Sequence, residues 1–271
     1  MTSLPIANPF PGAGSFLIET VESTQLEARR LARLGFPPGS LVAAESQSAG
    51  RGRIPERRWL DEPGRNLLFT ILLDPWVAGA PALPLRIGAA LCRAVEIQAI
   101  RMDADLGRAR PRLKWPNDLL LGERKAAGIL CEAAPEGVYA GIGVNVNQRS
   151  FPEALAAKAT SLALELGAEL DRWAFLEVFL GVLRHELAEA DWRPGVEELL
   201  WRRGETVRFV PGLAPIEGAA EARETVEGRL AGVDAEGSLL IAVGPERPRA
   251  FAAGELLLWP GSAGGEGRRA S

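Results

Sequence analysis

Histidine is almost absent: His185 is the single one in 271 residues. That argues against a Ser-His-Asp triad and against any metal centre built on several imidazoles. Cysteine is nearly as scarce. Cys92 and Cys131 lie far apart, with neither metal-ligand spacing nor the makings of a disulfide framework, so a reducing, cytoplasmic setting is expected. No apolar run reaches the ~20 residues of a membrane-spanning helix, and residues 1–5 lack the charged and apolar stretches of a secretory signal. No membrane partner is expected. Basic charge is not in excess either. Lys and Arg number 31 against 35 Asp and Glu, a formal net charge of -4, and the isoelectric point is near 5.4. That balance argues against a dedicated nucleic-acid binder. There is no internal repeat. What remains, 47% hydrophobic and 24% charged, is ordinary for a soluble globular chain that buries one or two substantial cores.

Residues 1–14 are rich in proline, glycine and small side chains and read as loosely held. A strand fits 16–19. Thr24 and Glu27 match a capping box that opens a helix ending at Gly35. Short apolar runs at 41–45 and 66–73 read as buried strands, and helical spacing fills 84–100. Strands follow at 112–115, 119–121, 126–131 and 138–146; turn signals between the last three predict antiparallel neighbours. A second helix starts at Asp171, with Leu176, Phe179, Leu180, Leu183 and Leu187 as its apolar stripe and His185 on the opposite, solvent side. After Arg203 the pattern changes to short strands at 207–210, 225–230, 238–243 and 255–258, which suits a small β-barrel. The glycine-rich tail 261–271 reads as disordered.

Four segments carry chemistry. Gly50-Arg51-Gly52-Arg53, continuing to Arg57-Arg58-Trp59, concentrates planar guanidinium forks on a glycine-bearing loop suited to an anion; the bland reading is a solvated basic loop. Lys114-Trp115-Pro116-Asn117-Asp118 lies between a strand and the next hairpin. Its lysine can pair with phosphate and its aspartate can hold Mg2+; otherwise it is the start of a hairpin with an exposed ion pair. Lys125 sits where a turn enters an apolar strand, the position of many solvated lysines. Gly141-Ile142-Gly143-Val144-Asn145 is a glycine-bearing strand, marking either close approach of a ligand or backbone, or a bulge.

The order of Glu22-Ser23-Thr24, Gln47-Ser48-Ala49-Gly50-Arg51-Gly52-Arg53, Lys114–Asp118, Arg124-Lys125-Ala126-Ala127-Gly128-Ile129-Leu130 and Gly141–Asn145 resembles bacterial biotin protein ligases, from about residue 15 to the end of the chain. The resemblance implies an α+β fold: a mixed-sheet catalytic domain of the biotin/lipoate ligase type over 1–203, then a small SH3-like β-barrel over 204–260. It implies a two-step reaction. Biotin and ATP give biotinyl-5'-AMP and pyrophosphate, and a lysine of a carboxylase's biotin carrier domain then takes the biotinyl group. By motif position, Ser23, Thr24, Gln25, Gln47, Arg51, Gly52, Arg53, Lys125 and Gly128 would surround biotin. Arg53, Arg58, Trp59, Lys114, Asn117, Asp118, Lys125 and Asn145 would serve ATP, with Asp118 on Mg2+. Arg51, Arg53, Lys114 and Lys125 would carry the catalytic charge. Either Ser23 or Thr24 would also cap the helix. A homodimer is possible by resemblance alone.

Two departures from the family pattern stand out. Ile54-Pro55-Glu56 is one residue longer than usual and has no glycine. Gln25 stands where asparagine is common. Because the catalytic resemblance begins within the first two dozen residues, no DNA-binding domain and no repressor function are expected. The alternatives are a lipoate or octanoyl ligase-type acyl transferase, a non-catalytic biotin-binding protein and an RNA-binding Arg-Gly module.

Overall fold

Short apolar runs bounded by glycine, proline and polar turns supply the strands, which assemble into two sheets. The computed structural model describes residues 1–53, 59–74, 82–212 and 225–257. The larger sheet is ordered β1 (Thr2–Ser3), β2 (Ser15–Val21), β3 (Leu41–Gln47), β4 (Leu67–Leu73), β8 (Gly137–Val144), β7 (Arg124–Ala134), β6 (Asp118–Leu121), β5 (Pro111–Lys114). β2 and β3 are parallel and are joined through helix α1 (Thr24–Arg33). The remaining neighbours are antiparallel, so the sheet is mixed as expected. β8 pairs without interruption, Leu67 opposite Val144 through Leu73 opposite Val138 on one side. On the other side it pairs from Ala127 opposite Val144 to Ala134 opposite Gly137. Its glycines therefore sit in a regular ladder and not in a bulge.

Side chains alternate across a strand, so each strand serves two faces. On the back face, Leu67, Phe69, Ile71, Ile129, Ile142 and Val144 join helices α2 (Leu83–Arg101) and α5 (Arg172–Ala188) in one buried core. Asp171 caps α5, accepting from the amides of Trp173 and Ala174. Phe179 of α5 meets Phe69 edge-on at 5.8 Å, and His185 lies exposed on the helix's far side. Arg86 of α2 reaches the end of α5 and donates to the carbonyls of Glu186 and Glu189, where burial lowers its pKa. Cations there suit the negative end of the helix. The front face carries a separate small cluster, Ala28, Leu72 and Tyr139.

Several expectations are corrected. Ser23, not Thr24, is the N-cap of α1: its Oγ accepts from the Gln25 amide at 3.3 Å. Residues 1–14 are tied down. β1 pairs with β2, Leu4 is buried, and Asn8 Nδ2 donates to Ser15 Oγ and the Gly39 carbonyl. Helices α3 (Glu153–Ala156), α4 (Leu162–Leu166) and α6 (Trp192–Leu199) were not anticipated; at four to eight residues they are too short to declare a helical period.

Beyond residue 205 the chain forms a five-stranded antiparallel sheet. Its order is β12 (Arg249–Phe251), β11 (Leu239–Ala242), β10 (Val226–Val233), β9 (Thr206–Pro211), β13 (Gly254–Leu256). β12 escaped the sequence reading because Arg249 and Ala250 are exposed and only Phe251 is buried. Leu258 and the tail 261–271 lie outside the described residues.

Candidate functional site

A cleft of about 340 Å³ opens on the front face between α1, the loop after β3 and strands β7 and β8. Its floor follows from the pattern Gly-Ile-Gly-Val at 141–144. Period two sends Ile142 and Val144 into the back core and leaves the glycines facing front. Gly143 pairs with Gly128 across the two strands, which makes a flat patch. The Trp59 indole lies on that patch. A Cβ on Gly143 would fall 2.6 Å from Trp59 Cε2, and one on Gly128 would fall 3.1 Å from Cζ3. Gln25 lies in the same way over Gly141 and donates from Nε2 to the Leu130 carbonyl at 2.9 Å. The close approach expected at these glycines is thus made by two side chains.

One end of the cleft is a hydroxyl and amide corner. Gln47, at the end of β3, accepts at Oε1 from the Thr24 amide at 2.8 Å and from Thr24 Oγ1 at 3.2 Å. Thr24 Oγ1 also meets Thr70 Oγ1 at 2.9 Å. Because the Gln47 oxygen is spent, what its side chain has left to offer a ligand is its N–H pair. Ser23 lines the same corner while capping the helix.

Positive charge gathers at the other side. Lys125 is the second residue of β7, where main-chain bonds to Lys158 and Thr160 hold it. Its Nζ lies 2.7 Å from Asp118 Oδ1 and 5.6 Å from the centre of the Trp59 ring. The Asp118 contact is an ion pair without hydrogen-bond alignment, because that buried oxygen accepts no hydrogen bond. Trp59 Nε1 is likewise buried without a partner. Unmade bonds of this kind cost about 1–3 kcal/mol each, so both atoms are ready acceptors or donors for a ligand. Arg51, Gly52 and Arg53 line the cleft, and Arg53 Nη2 donates to the Gly254 carbonyl of β13 at 2.8 Å. Asn117 lines it too, with its Nδ2 committed to the Ile129 carbonyl at 2.7 Å.

The structure thus brings together Ser23, Thr24, Gln25, Gln47, Arg51, Gly52, Arg53, Trp59, Asn117, Lys125 and Gly128. Three expected residues do not line the cleft. Lys114 is buried at the end of β5, opposite Asp118 in the hairpin. Asp118 stands behind Lys125. Asn145 is buried and donates from Nδ2 to the Thr160 carbonyl at 3.0 Å, bracing the segment that holds Lys125. Arg58, and with it Arg57 and the Ile54-Pro55-Glu56 departure, lies outside the described residues.

Sequence reasoning missed Arg29 and Glu132, an ion pair of 2.8 Å at the far end of the cleft. Periodicity held the signal. Arg29 lies one turn after Gln25 on the same helix face, and Glu132 follows Gly128 and Leu130 on the same strand face. The thiols take no part. Burial pushes Cys131 up to about 12 and Cys92 higher still, far from a reactive thiolate. Among the described residues no group of three His, Cys, Asp or Glu could hold a metal by itself, and no helix is long and apolar enough to cross a membrane.

Comparison with known proteins agrees with this geometry. Residues 17–148 match the biotin/lipoate A/B protein ligase family. The chain is 33% identical over 241 residues to the bifunctional ligase/repressor BirA of Bacillus spizizenii, covering 82% of this chain and 67% of that protein. It is 33% identical over 183 residues to a biotin–[acetyl-CoA-carboxylase] ligase of Paracoccus denitrificans, covering 65% and 73%. Among solved structures, the biotin protein ligase of Aquifex aeolicus in complex with biotin and ATP superposes with a TM-score of 0.73 at 29% identity, over 90% of this chain and 97% of that one.

Proposed function

The chain belongs to the biotin protein ligase family, and from that premise we propose that it joins biotin to ATP as biotinyl-5'-AMP and passes the biotinyl group to a lysine of a carboxylase's carrier domain. One observation carries the reading: Arg51, Arg53 and Lys125 share a glycine-floored cleft with the donor corner of Thr24 and Gln47. In the first step a biotin carboxylate oxygen attacks the α-phosphorus of ATP. A C–O–P bond forms, the bond to the pyrophosphate oxygen breaks, and pyrophosphate leaves. Both reacting groups are anions, and fixed cations offset their repulsion. Charge placed where it develops in the transition state is commonly the largest catalytic contribution. Lys125 can turn to a ligand because it lines the cleft with its side chain partly exposed and its present contact with Asp118 is not aligned as a hydrogen bond.

In the second step the acceptor amine attacks the acyl carbon, AMP departs and an amide remains. No enzyme nucleophile is needed, in keeping with the inert thiols and the remote His185. The unspent donors at Gln47 suit the ureido carbonyl of biotin; the dithiolane of a lipoyl group has no comparable acceptor. That favours biotin over lipoate. Trp59, already flat against the cleft, offers an aromatic face for adenine. Asp118 fits Mg2+, which takes one or two carboxylates beside phosphate oxygens: its buried Oδ1 accepts no hydrogen bond, and the ion would neutralise phosphate charge there. The five-stranded sheet corresponds in this reading to an SH3-like unit after residue 203, and a cytoplasmic setting follows from the carrier.

The test is transfer of labelled biotin, with Mg·ATP, to a biotin carrier domain, run beside labelled lipoate. Biotin label on the carrier and biotin-dependent pyrophosphate release are expected. Transfer of lipoate instead, or neither product, would overturn the proposal.

A further inference from the structure

Two of the contacts between the sheets fall on the segments that build the cleft. Trp115, between Lys114 and Asn117, donates from Nε1 to the Gly237 carbonyl at 3.0 Å and meets the Phe209 ring at 5.8 Å and 66°. Arg53, on the arginine loop, donates to the Gly254 carbonyl. Phe209 and Gly254 themselves touch. β13 runs beside β9, and a Cβ on Gly254 would fall 2.0 Å from Phe209 Cζ. Gly254 also has φ +155°, a conformation that other residues rarely adopt. Trp115, Phe209, Gly254 and Arg53 therefore form one continuous chain of contacts through the second sheet.

We propose that Phe209 and Gly254 are positioning residues for Arg53, so that the smaller sheet sets the arginine loop in register with the Lys114–Asp118 segment. An arginine loses much rotamer freedom when it is held. A loop with alternating glycines has little internal means of holding it. The Gly254 carbonyl supplies a fixed acceptor for one N–H and leaves the rest of the five-donor fork for an anion in the cleft. Phe209 fixes where that carbonyl stands, because its ring contacts both Gly254 and Trp115. The inference rests on the proposed function only for the identity of the anion, biotinyl-AMP.

The experiment uses the full chain with Gly254→Ala and Phe209→Leu. Trypsin cleavage after Arg53 reports the hold on that side chain, and cleavage after Arg112, within β5, reports global opening. Losing a hydrogen bond to a charged group predicts about tenfold faster cleavage after Arg53, with no matching rise after Arg112. Biotinyl-AMP lost to solution is measured in the same variants. Arg53→Ala combined with Phe209→Leu is expected to leak no more than Arg53→Ala alone, because both act through one guanidinium. Unchanged cleavage after Arg53, equal rises at both sites in both variants, or additive leakage would each overturn the inference. Absence of biotinyl-AMP from the unmodified chain would sink the functional reading instead, while the proteolysis still decides the positioning.

Discussion

The two faces of the larger sheet are made by the same strands and behave in opposite ways. Along β8, Ile142 and Val144 fill the back face against α2 and α5, while Gly141 and Gly143, one residue away each, leave the front face bare enough for Gln25 and Trp59 to lie on it. A closed apolar core and an open polar cleft are thus separated by one step in the sequence. The back gains stability from packing that a ligand cannot alter. The front keeps Trp59 Nε1 buried without a hydrogen-bond partner and Asp118 Oδ1 in an ion pair but without a hydrogen bond, a cost in stability that leaves room for chemistry.

Substitutions on each face should divide stability from activity. The largest effect belongs to the back. Phe69 is fully buried against Phe179, so Phe69→Ala is expected to lower stability by about 3–5 kcal/mol in urea denaturation while biotin affinity per folded molecule is kept. A large loss of affinity with little loss of stability would blur the division. On the front, Lys125→Ala should slow biotinyl-AMP formation by about 10²–10³-fold, as removal of one charge-stabilising donor does. Its stability should fall less than that of Phe69→Ala, by about 1–3 kcal/mol, because the buried Asp118 Oδ1 loses its cation. Normal pyrophosphate release by this variant would remove Lys125 from the chemistry. The smallest effect is expected from Gln25→Ala. It loses the bond to the Leu130 carbonyl, worth about 0.5–1.5 kcal/mol, and should raise the KM for biotin more than it lowers kcat. A change in kcat alone would assign Gln25 a different role.

Much of this contrast was legible in the sequence. Gly-Ile-Gly-Val read at period two already separates the faces, and Arg51, Arg53, Asn117 and Lys125, drawn from separate motifs, line one cleft. Local rules were less reliable where two candidates stood side by side. Ser23 and Thr24 can each cap a helix, and only the placement of Gln47 and Thr70 gives the cap to Ser23 and the cleft corner to Thr24. Lys114 and Asn145 do not line the cleft, for a related reason. Both flank cleft-building segments, but Lys114 is buried in the hairpin opposite Asp118 and Asn145 donates to the Thr160 carbonyl. Arg29 and Glu132 carried no motif at all, and their meeting depends on how α1 lies across β7. The bond from Arg53 to Gly254 spans 201 positions and could not be read from either end.

The most direct test compares neighbours on β8 by titration calorimetry with biotin and by thermal unfolding. Gly143→Ala puts a methyl where the Trp59 indole lies and so pushes that ring into the cleft beside Lys125, whereas Val144→Ala empties part of the back core. Gly143→Ala should weaken biotin binding at least about tenfold, a 1.4 kcal/mol effect, without lowering the unfolding midpoint. Val144→Ala should cost ~2 kcal/mol of stability and leave biotin affinity in place. Equal biotin affinity in the two variants, or a loss confined to Val144→Ala, would contradict the assignment of the glycine face to the ligand.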